Sequence, residues 1–370
     1  MAETARGSRR DRTGRISVNS EELLHGFHDQ VRTELLAFLS TRATEIAGQA
    51  TEAGELVDVV TRFLQDGKYL RPTFAYLGWL SRAEESTAAL RAAASLELLH
   101  AFGLIQDDVM DKSTLRRGRA TVHRTLAASH ADATSTSTER RFGESAAILL
   151  ADLCLIWAER MLRTSGMDSQ ALERARSCYD DMRQELAVGQ YLDLLNTERE
   201  RCELPDVLRI ARLKSARYTI TKPLLLGAYL AGDDHKLRRV LGQYGDSIGE
   251  AFQMRDDLLG IFGEPAVTGK PAGDDLRNEK ITTVVAVALD RAGPRQHREL
   301  RHLLDGDTTS TRGQDSIRDL LTETGAVEQI ETMIGERVQY GRQALQHAEL
   351  PERVRTELDR MALTCVDRSS

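Results

Sequence analysis

Apolar residues recur every three or four positions through most of the chain after residue 20, as in LLAFLSTRATEIAGQA and AAILLADLCLIWAERML. This spacing is typical of helices with a buried face, and several segments are apolar on more than one face, like helices in the middle of a bundle. The polar and glycine-containing breaks between them do not resemble interdomain linkers. The pattern predicts an all-α protein with one large helical domain over residues 21–370.

The composition agrees with this prediction, because the 370 residues include only seven prolines and 5% aromatic residues. Residues 1–20 are polar and arginine-rich without an apolar signal core, and we expect a disordered tail there. A net charge of −7 with interspersed signs argues against a nucleic-acid partner. No run approaches the roughly 20 apolar residues of a membrane span. The four widely spaced cysteines indicate free thiols, and the expected location is the cytoplasm.

The stretch IQDDVMD places Asp107 and Asp111 four residues apart, so both carboxylates project from one face of a helix, with Asp108 beside them. Like charges at this spacing destabilise a helix unless a cation joins them, and Mg²⁺ characteristically bridges carboxylates to phosphates. Taken alone, the motif fits a solvated acidic face at least as well. The apolar flank HAFGLI and the basic segment KSTLRRG favour a metal site.

A second acidic pair, Asp256 and Asp257, occurs in FQMRDDLLG, an apolar run where an unpaired charge would be costly. Gly260 stands where the first motif has its third acid. Gln253 precedes the pair by about one helical turn, and Lys270 and Lys280 follow it within GKPAGDDLRNEK.

Other basic groups accompany the acids. Lys68 and Arg71 lie in DGKYLRP at a predicted helix start, where cations oppose the helix dipole unless an anion binds. Arg116 and Arg117 are adjacent and point apart, which suits two different phosphates. His100 lies seven residues before the first motif and nearly above it on a helix. Together these clusters indicate a cavity with apolar walls that binds two diphosphates with Mg²⁺.

Five motifs occur together: GKYLRP, a histidine seven residues before DDVMD, RRG, KS, and FQMRDDLLG followed by GKPAGDD. In their order and spacing the chain resembles the trans-isoprenyl diphosphate synthases, or polyprenyl synthetases, from about residue 20 to the C-terminus. The resemblance implies an all-α bundle around a deep central cavity, the isoprenoid synthase fold. It also implies a homodimer and two aspartate motifs that face each other across the cavity mouth.

The same resemblance implies roles for individual residues. The implied ligands of three Mg²⁺ ions are Asp107, Asp108, Asp111, Asp256 and Asp257, with Asp275 nearby. The implied contacts to the allylic diphosphate are Arg116, Lys214, Lys270 and Lys280. The implied contacts to isopentenyl diphosphate are Lys68, Arg71, His100 and Arg117. The implied catalytic residues are Asp107, Asp111, Lys214, Gln253 and Asp256, with Gln190 near the reacting carbons or metals. From the residues alone, Lys214 in LKSARYTI is equally a solvated lysine.

The implied activity is a Mg²⁺-dependent trans-prenyltransfer. The allylic carbon–oxygen bond of dimethylallyl, geranyl or farnesyl diphosphate breaks, and the double bond of isopentenyl diphosphate attacks the carbocation head-to-tail. Proton loss then restores an alkene one isoprene unit longer. Magnesium and the cations stabilise the leaving diphosphate, which is also the expected base.

Two departures from the family pattern lead to hypotheses. Tyr69 stands where a second arginine is common, so one phosphate contact is expected to be missing. For the second motif, Asp256 alone is expected to hold the remaining ion, with Asp275 contributing charge in place of a residue-260 carboxylate. Replacing Gly260 by Asp is then expected to change activity modestly.

Product length depends on the residues below the first motif. Phe102, Gly103 and the absence of an insertion in DDVMD resemble short-chain synthases of geranylgeranyl diphosphate; Leu96 and Leu99 could equally form the cavity floor. A farnesyl or longer, C25, product stays open. A class I terpene cyclase needs no isopentenyl site, and a non-catalytic partner subunit would be expected to lose acids of the first motif. The complete motifs favour a synthase over both.

Overall fold

A computed structural model describes residues 20–367 except 66, 131–135, 198–202, 264–272, 278–279, 307, 309 and 347. Within this part the chain is helical apart from one hairpin of two-residue strands, which confirms the all-α class. The proposed disordered tail, up to residue 19, and Lys270 lie outside the described residues. The single-domain division stays a prediction.

The elements follow one another along the chain. They are α1 (Ser20–Ala47), a 3₁₀ turn (Thr51–Ala53), α2 (Gly54–Leu64), α3 (Leu70–Leu80), α4 (Thr87–Met110), β1 (Leu115–Arg116), β2 (Arg119–Ala120), α5 (Val122–Ser129), α6 (Thr136–Arg163), α7 (Ser169–Thr197), α8 (Leu204–Ala211), a π-helical segment (Arg212–Thr221), α9 (Lys222–Ala231), α10 (His235–Phe262), α11 (Asp274–Arg277), α12 (Thr283–Arg291), α13 (Pro294–Leu304), α14 (Thr311–Glu323), α15 (Ala326–Gln346) and α16 (Glu352–Thr364).

The helices α4 and α10 carry the two acidic motifs and contribute buried residues to the two main apolar clusters. Each starts with a side-chain cap: Ser86 accepts a hydrogen bond from the Ala89 amide, and Asp234 accepts one from the Leu237 amide. Around them, α4 packs against α6, and α10 packs against α15 and the π-helical segment. The helices that present the acids are therefore held from several sides.

One of the described helices, α4, has the length and apolar composition to cross a membrane. Length and composition alone make it a weak candidate, so the expectation that no segment spans a membrane stays a prediction. In the structure 67% of its apolar window is buried inside the protein, as in a core helix. The small, unbranched residues of TAALRAAASLELLHAFGLI explain the burial, because alanine lets other helices approach all sides of α4.

Among the described cysteines, Cys154 and Cys178 are free thiols, and both of them, like Cys365, are buried. Cys154 and Cys178 agree with the free thiols that the cysteine spacing indicates.

Helices α3 and α9 approach each other through glycine. A Cβ on Gly78 would lie 2.0 Å from the carbonyl oxygen of Leu224, and one on Gly227 would lie 1.8 Å from the carbonyl oxygen of Ala75. No real Cβ fits at such distances, so only glycine allows the two backbones to meet here. This contact ties α3, which begins within the GKYLRP motif, to the helix that continues from the π-helical segment.

We expect Gly227→Ala to lower the free energy of unfolding by about 2 kcal/mol or more, because the added methyl group forces α3 and α9 apart. The measurement is urea unfolding followed by circular dichroism. The matched control is Gly335→Ala in α15, where an added Cβ meets nothing within 4 Å; helix propensity then predicts equal or higher stability. Equal stability of Gly227→Ala and wild type would contradict the close contact.

Candidate active site

A cavity of about 610 Å³ lies between α4, α7, the π-helical segment and α10. Most residues singled out by the sequence line it, although they come from distant parts of the chain. They are Lys68, Arg71, His100, Asp107, Arg116, Arg117, Gln190, Lys214, Gln253, Asp256, Asp257, Asp275 and Lys280. A second groove of about 790 Å³ between α15 and α16 contains none of them.

Asp107 on α4 is the acid of the first motif that faces this cavity. Lys214 Nζ donates to its Oδ1 at 3.0 Å, and Arg116 Nη2 donates to its Oδ2 at 3.2 Å. Burial alone would raise the pKa of Asp107, but Lys214, Lys280 and Arg116 outweigh it and hold the pKa well below its usual range. The carboxylate therefore stays ionised, as a metal ligand must be.

The other two acids of the motif face cations rather than the open cavity. Asp108 is fully buried and accepts hydrogen bonds from Arg116 Nε at 2.8 Å and Nη2 at 2.6 Å. Asp111 Oδ2 accepts one from Lys280 Nζ at 2.5 Å. Neither lines the cavity, so Asp108 supports Arg116, and metal binding by both acids stays a prediction.

The adjacent residues Arg116 and Arg117 lie in a tight hairpin beside the first acidic motif. Strands β1 and β2 pair Arg116 with Arg119, and the intervening Arg117 and Gly118 have φ values of 52° and 71°. Two consecutive left-handed residues are typical of a two-residue hairpin turn. Arg116 reaches the first acidic motif, whereas Arg117 acts electrostatically on Arg71 and His100. The expectation that the two guanidinium groups point apart stays a prediction.

In the second motif, Asp256 and Asp257 have different surroundings. Asp257 is buried, and it accepts hydrogen bonds from the Thr283 amide at 2.9 Å and from Gln253 Nε2 at 2.7 Å. Burial raises its pKa to about 7. Both acids line the cavity, but Asp257 also joins α10 to the start of α12 and orients Gln253.

The lysine of the KS motif lies in the π-helical segment Arg212–Thr221. Its Nζ contacts Asp193 Oδ2 at 2.7 Å in addition to Asp107, which excludes the simple solvated lysine. π-Helical turns are rare in proteins overall, and those that occur are often found at functional sites. The sequence reasoning missed Asp193, although it follows Gln190 by three residues in GQYLDL and so shares its helix face.

A separate cationic group surrounds Arg71 at the start of α3. Arg71 Nη2 donates to Thr219 Oγ1 at 2.8 Å, and its guanidinium lies 4.4 Å from the ring centroid of Tyr218. Burial and the nearby arginines lower the pKa of His100 well below its usual value, so this imidazole is neutral. The sequence reasoning also missed Glu97, a buried acid one turn before His100 that faces the arginines.

The carboxylates that line the cavity are suitable ligands for Mg²⁺. Among the described residues, no three His, Cys, Asp or Glu side chains converge to form a complete metal cage. Several carboxylates and six lysine or arginine side chains line the same cavity. Such donors fit an ion that takes some ligands from the protein and the rest from phosphate and water, which is the usual behaviour of Mg²⁺.

The sequence matches the polyprenyl synthetase family over residues 54–321. The chain belongs to this family. It is 32% identical to a geranylfarnesyl diphosphate synthase of Aeropyrum pernix, over 72% of this chain and 79% of that one. It is 30% identical to a (2E,6E)-farnesyl diphosphate synthase of Mycobacterium tuberculosis, over 82% and 80% of the two chains.

The fold agrees as well. A geranylgeranyl pyrophosphate synthase from Corynebacterium glutamicum, solved with isoprenyl diphosphate and magnesium, superimposes with a TM-score of 0.89. The two chains are 38% identical, and the match covers 93% of this polyprenyl synthetase and 99% of the other protein. The named relatives make products of different lengths, so the comparisons establish the family and the fold rather than one product.

In this family member, Tyr69 has a structural role. Its buried side chain donates from the hydroxyl to the Leu64 carbonyl oxygen at 2.9 Å, and its left-handed backbone, φ 47°, precedes the first residue of α3. A tyrosine here links α2 to α3 and brings no positive charge, so the missing phosphate contact stays a prediction.

The raised pKa of Asp257 predicts a pH-dependent stability. A carboxyl group whose pKa is higher in the folded than in the unfolded protein stabilises the fold. Its contribution is complete below the ordinary pKa of 3.8 and is lost as the pH rises through about 7. Asp257→Asn removes the titration. Urea unfolding from about pH 5 to about pH 7 should show the wild type losing stability relative to the variant, by up to about 1.4 kcal/mol per pH unit. Parallel curves would mean that Asp257 is already ionised.

Proposed function

We propose that this polyprenyl synthetase is a Mg²⁺-dependent trans-prenyltransferase that condenses isopentenyl diphosphate with an allylic diphosphate, and that its product is geranylgeranyl diphosphate. One observation carries the proposal: a single cavity contains two acidic groups and two separate cationic groups. Two diphosphates with metal ions need that combination, since each phosphate group requires its own donors. A terpene cyclase would leave the Arg71 group without a substrate.

The residues divide between the two substrates. Lys214, Lys280 and Arg116 surround Asp107 and bind the allylic diphosphate together with Mg²⁺, three ions per site. Lys68, Arg71 and Arg117, with neutral His100, bind isopentenyl diphosphate. When bound, Mg²⁺ neutralises the negative charge that develops on the leaving diphosphate. Lys270 belongs with the allylic group by resemblance.

The side chains contribute by position and charge. Lys214 and Arg116 stabilise the diphosphate that leaves with the electron pair of the allylic carbon–oxygen bond. The Arg71 group orients isopentenyl diphosphate so that its double bond attacks the allylic carbon, and a proton passes to the leaving diphosphate. Gln253, which is oriented by its hydrogen bond to Asp257, lines the same cavity.

The apolar part of the cavity favours a product of limited length. Gly103 lines it, and an added Cβ there would already contact Leu186 Cδ2 at 3.5 Å. Phe102 packs against the apolar cluster around α4 and does not line the cavity, so Gly103, Leu186 and Tyr218 form the wall instead. Farnesyl and C25 products stay the alternatives.

The homodimer is part of the proposal and rests on α6. Leu149 and Ile156 lie seven residues apart on one face of this helix and are 63% and 59% exposed. Neighbouring Ile148 is 44% exposed. An exposed apolar row on a core-packed helix favours a second copy of the chain as its partner. The cytoplasm stays the predicted location.

The activity test uses purified protein with Mg²⁺, radiolabelled isopentenyl diphosphate and, in separate reactions, dimethylallyl, geranyl or farnesyl diphosphate. We expect elongation with at least one primer, and chromatography of the dephosphorylated products should show a C20 alcohol. No product with any primer would disprove the enzymatic function. A C15 or C25 main product would change only the length assignment.

Asp107→Ala is the matched inactive variant in this assay, and its turnover should fall to background because Lys214 and Arg116 lose their shared carboxylate along with the metal ligand. Circular dichroism should still show the wild-type helical spectrum, since Asp107 borders the cavity. Retained turnover would show that Asp107 is not a required part of the active site.

For the dimer, Leu149→Glu combined with Ile156→Glu should convert the protein to a monomer in analytical ultracentrifugation, because charged side chains are costly in an apolar interface. Tyr340→Glu on α15, at a residue 56% exposed elsewhere on the surface, is the control and should leave the mass unchanged. A dimer of undiminished stability in the double variant would place the interface on another face.

A further inference from the structure

The position of Gly260 on α10 is already filled by another residue's carboxylate. Gly260 lies one helical turn after Asp256, and a Cβ built on it would lie 1.8 Å from Asp275 Oδ2 and 2.7 Å from Asp275 Cγ. At such distances one of the two groups must move, and because the contacted atoms are the end of the flexible Asp275 side chain, an added Cβ would displace that carboxylate. The carboxylate of Asp275, on the short helix α11, therefore occupies the volume where any side chain of residue 260 would begin.

This carboxylate belongs to the charged part of the cavity. Asp256, Gly260, Asp275 and Lys280 all line it. Asp275 is among the acids that raise the pKa of Lys280, and it also raises the pKa of Asp257. Its negative charge thus acts on both neighbouring motif residues from a place beside α10.

We propose, on the basis of the function proposed above, that Gly260 is a positioning residue for Asp275. The absence of a side chain at residue 260 seats the Asp275 carboxylate beside Asp256, so that α11 supplies the third acid that α10 lacks. Gly260 and Asp275 then act as one unit in Mg²⁺-dependent diphosphate binding.

An aspartate at residue 260 would compete with Asp275 for the same space. Sequence reasoning treats Gly260→Asp as adding a carboxylate with a modest effect. In the structure the first atom of the new side chain collides with Asp275, so the substitution exchanges one carboxylate for another. Gly260→Asp alone should therefore weaken the site, and removing Asp275 at the same time should relieve the conflict.

The test measures binding of inorganic diphosphate by isothermal titration calorimetry over a series of Mg²⁺ concentrations. Gly260→Ala should raise the Mg²⁺ concentration for half-maximal binding by about tenfold or more, the effect typical of displacing a group that supports metal ligands. The control is Gly242→Ala on the same helix, where an added Cβ meets nothing within 4 Å; it should bind as wild type does. Thermal unfolding without Mg²⁺ separates site damage from fold damage, because an alanine in a helix does not itself lower stability.

A double-mutant cycle decides whether Gly260 acts through Asp275. Asp275→Ala should weaken binding about as much as Gly260→Ala does, and it also frees the space next to residue 260. Adding Gly260→Ala to Asp275→Ala should then have no further effect, even if the single Gly260→Ala variant does not fold. Gly260→Asp combined with Asp275→Ala should recover most of the lost affinity.

Two results would overturn the proposal. One is wild-type Mg²⁺ dependence in folded Gly260→Ala; the other is a further loss of about tenfold when Gly260→Ala is added to Asp275→Ala. Either result can be obtained while the wild-type protein elongates primers normally. Failure of the proposed function is a different outcome, because the wild-type protein would then make no product.

Discussion

Mutual neutralisation of buried charges at the end of α4 is the constraint on which the site depends. Asp107, Asp108 and Asp111 lie within five residues at the end of an apolar helix, where unpaired carboxylates would be very costly. Arg116 from the hairpin, Lys214 from the π-helical segment and Lys280 from the chain before α12 supply the opposite charges. These pairs join the neighbouring hairpin and two distant segments to one helix end, and they preorganise the cations that the proposed reaction uses.

The same pairing explains why irregular backbone occurs where it does. The left-handed turn at Arg117 and Gly118 directly follows Arg116, which pairs with the first acidic motif, and the π-helical segment aims Lys214 at Asp107 while Thr219 contacts Arg71. Regular α-helices bring residues three and four apart together on one face. A cavity that separates two anions needs side chains directed away from that repeat, so the departures from regular structure lie at the charged groups.

The two acidic motifs achieve their charge in different ways. The first takes all its acids from one helix and matches them with cations. The second divides them between two helices: Asp256 and Asp257 on α10 both line the cavity, Asp257 with hydrogen bonds from Thr283 and Gln253, and Asp275 on α11 lies over Gly260. A motif that is incomplete along the sequence can therefore be complete in space, because a glycine leaves room for a carboxylate from the next segment.

The sequence by itself determined the helical class, the two acidic motifs and nearly all the charged residues of the cavity, because helical periodicity and the spacing of acids and bases are local properties. It did not reveal Asp193, Glu97 or the structural role of Tyr69, whose partners are distant in the chain or buried. Only the tertiary structure decided which acids face the cavity and that Asp275 occupies the place beside Gly260. Those assignments depend on how separate helices pack, since packing fixes the distances between residues that the chain keeps far apart.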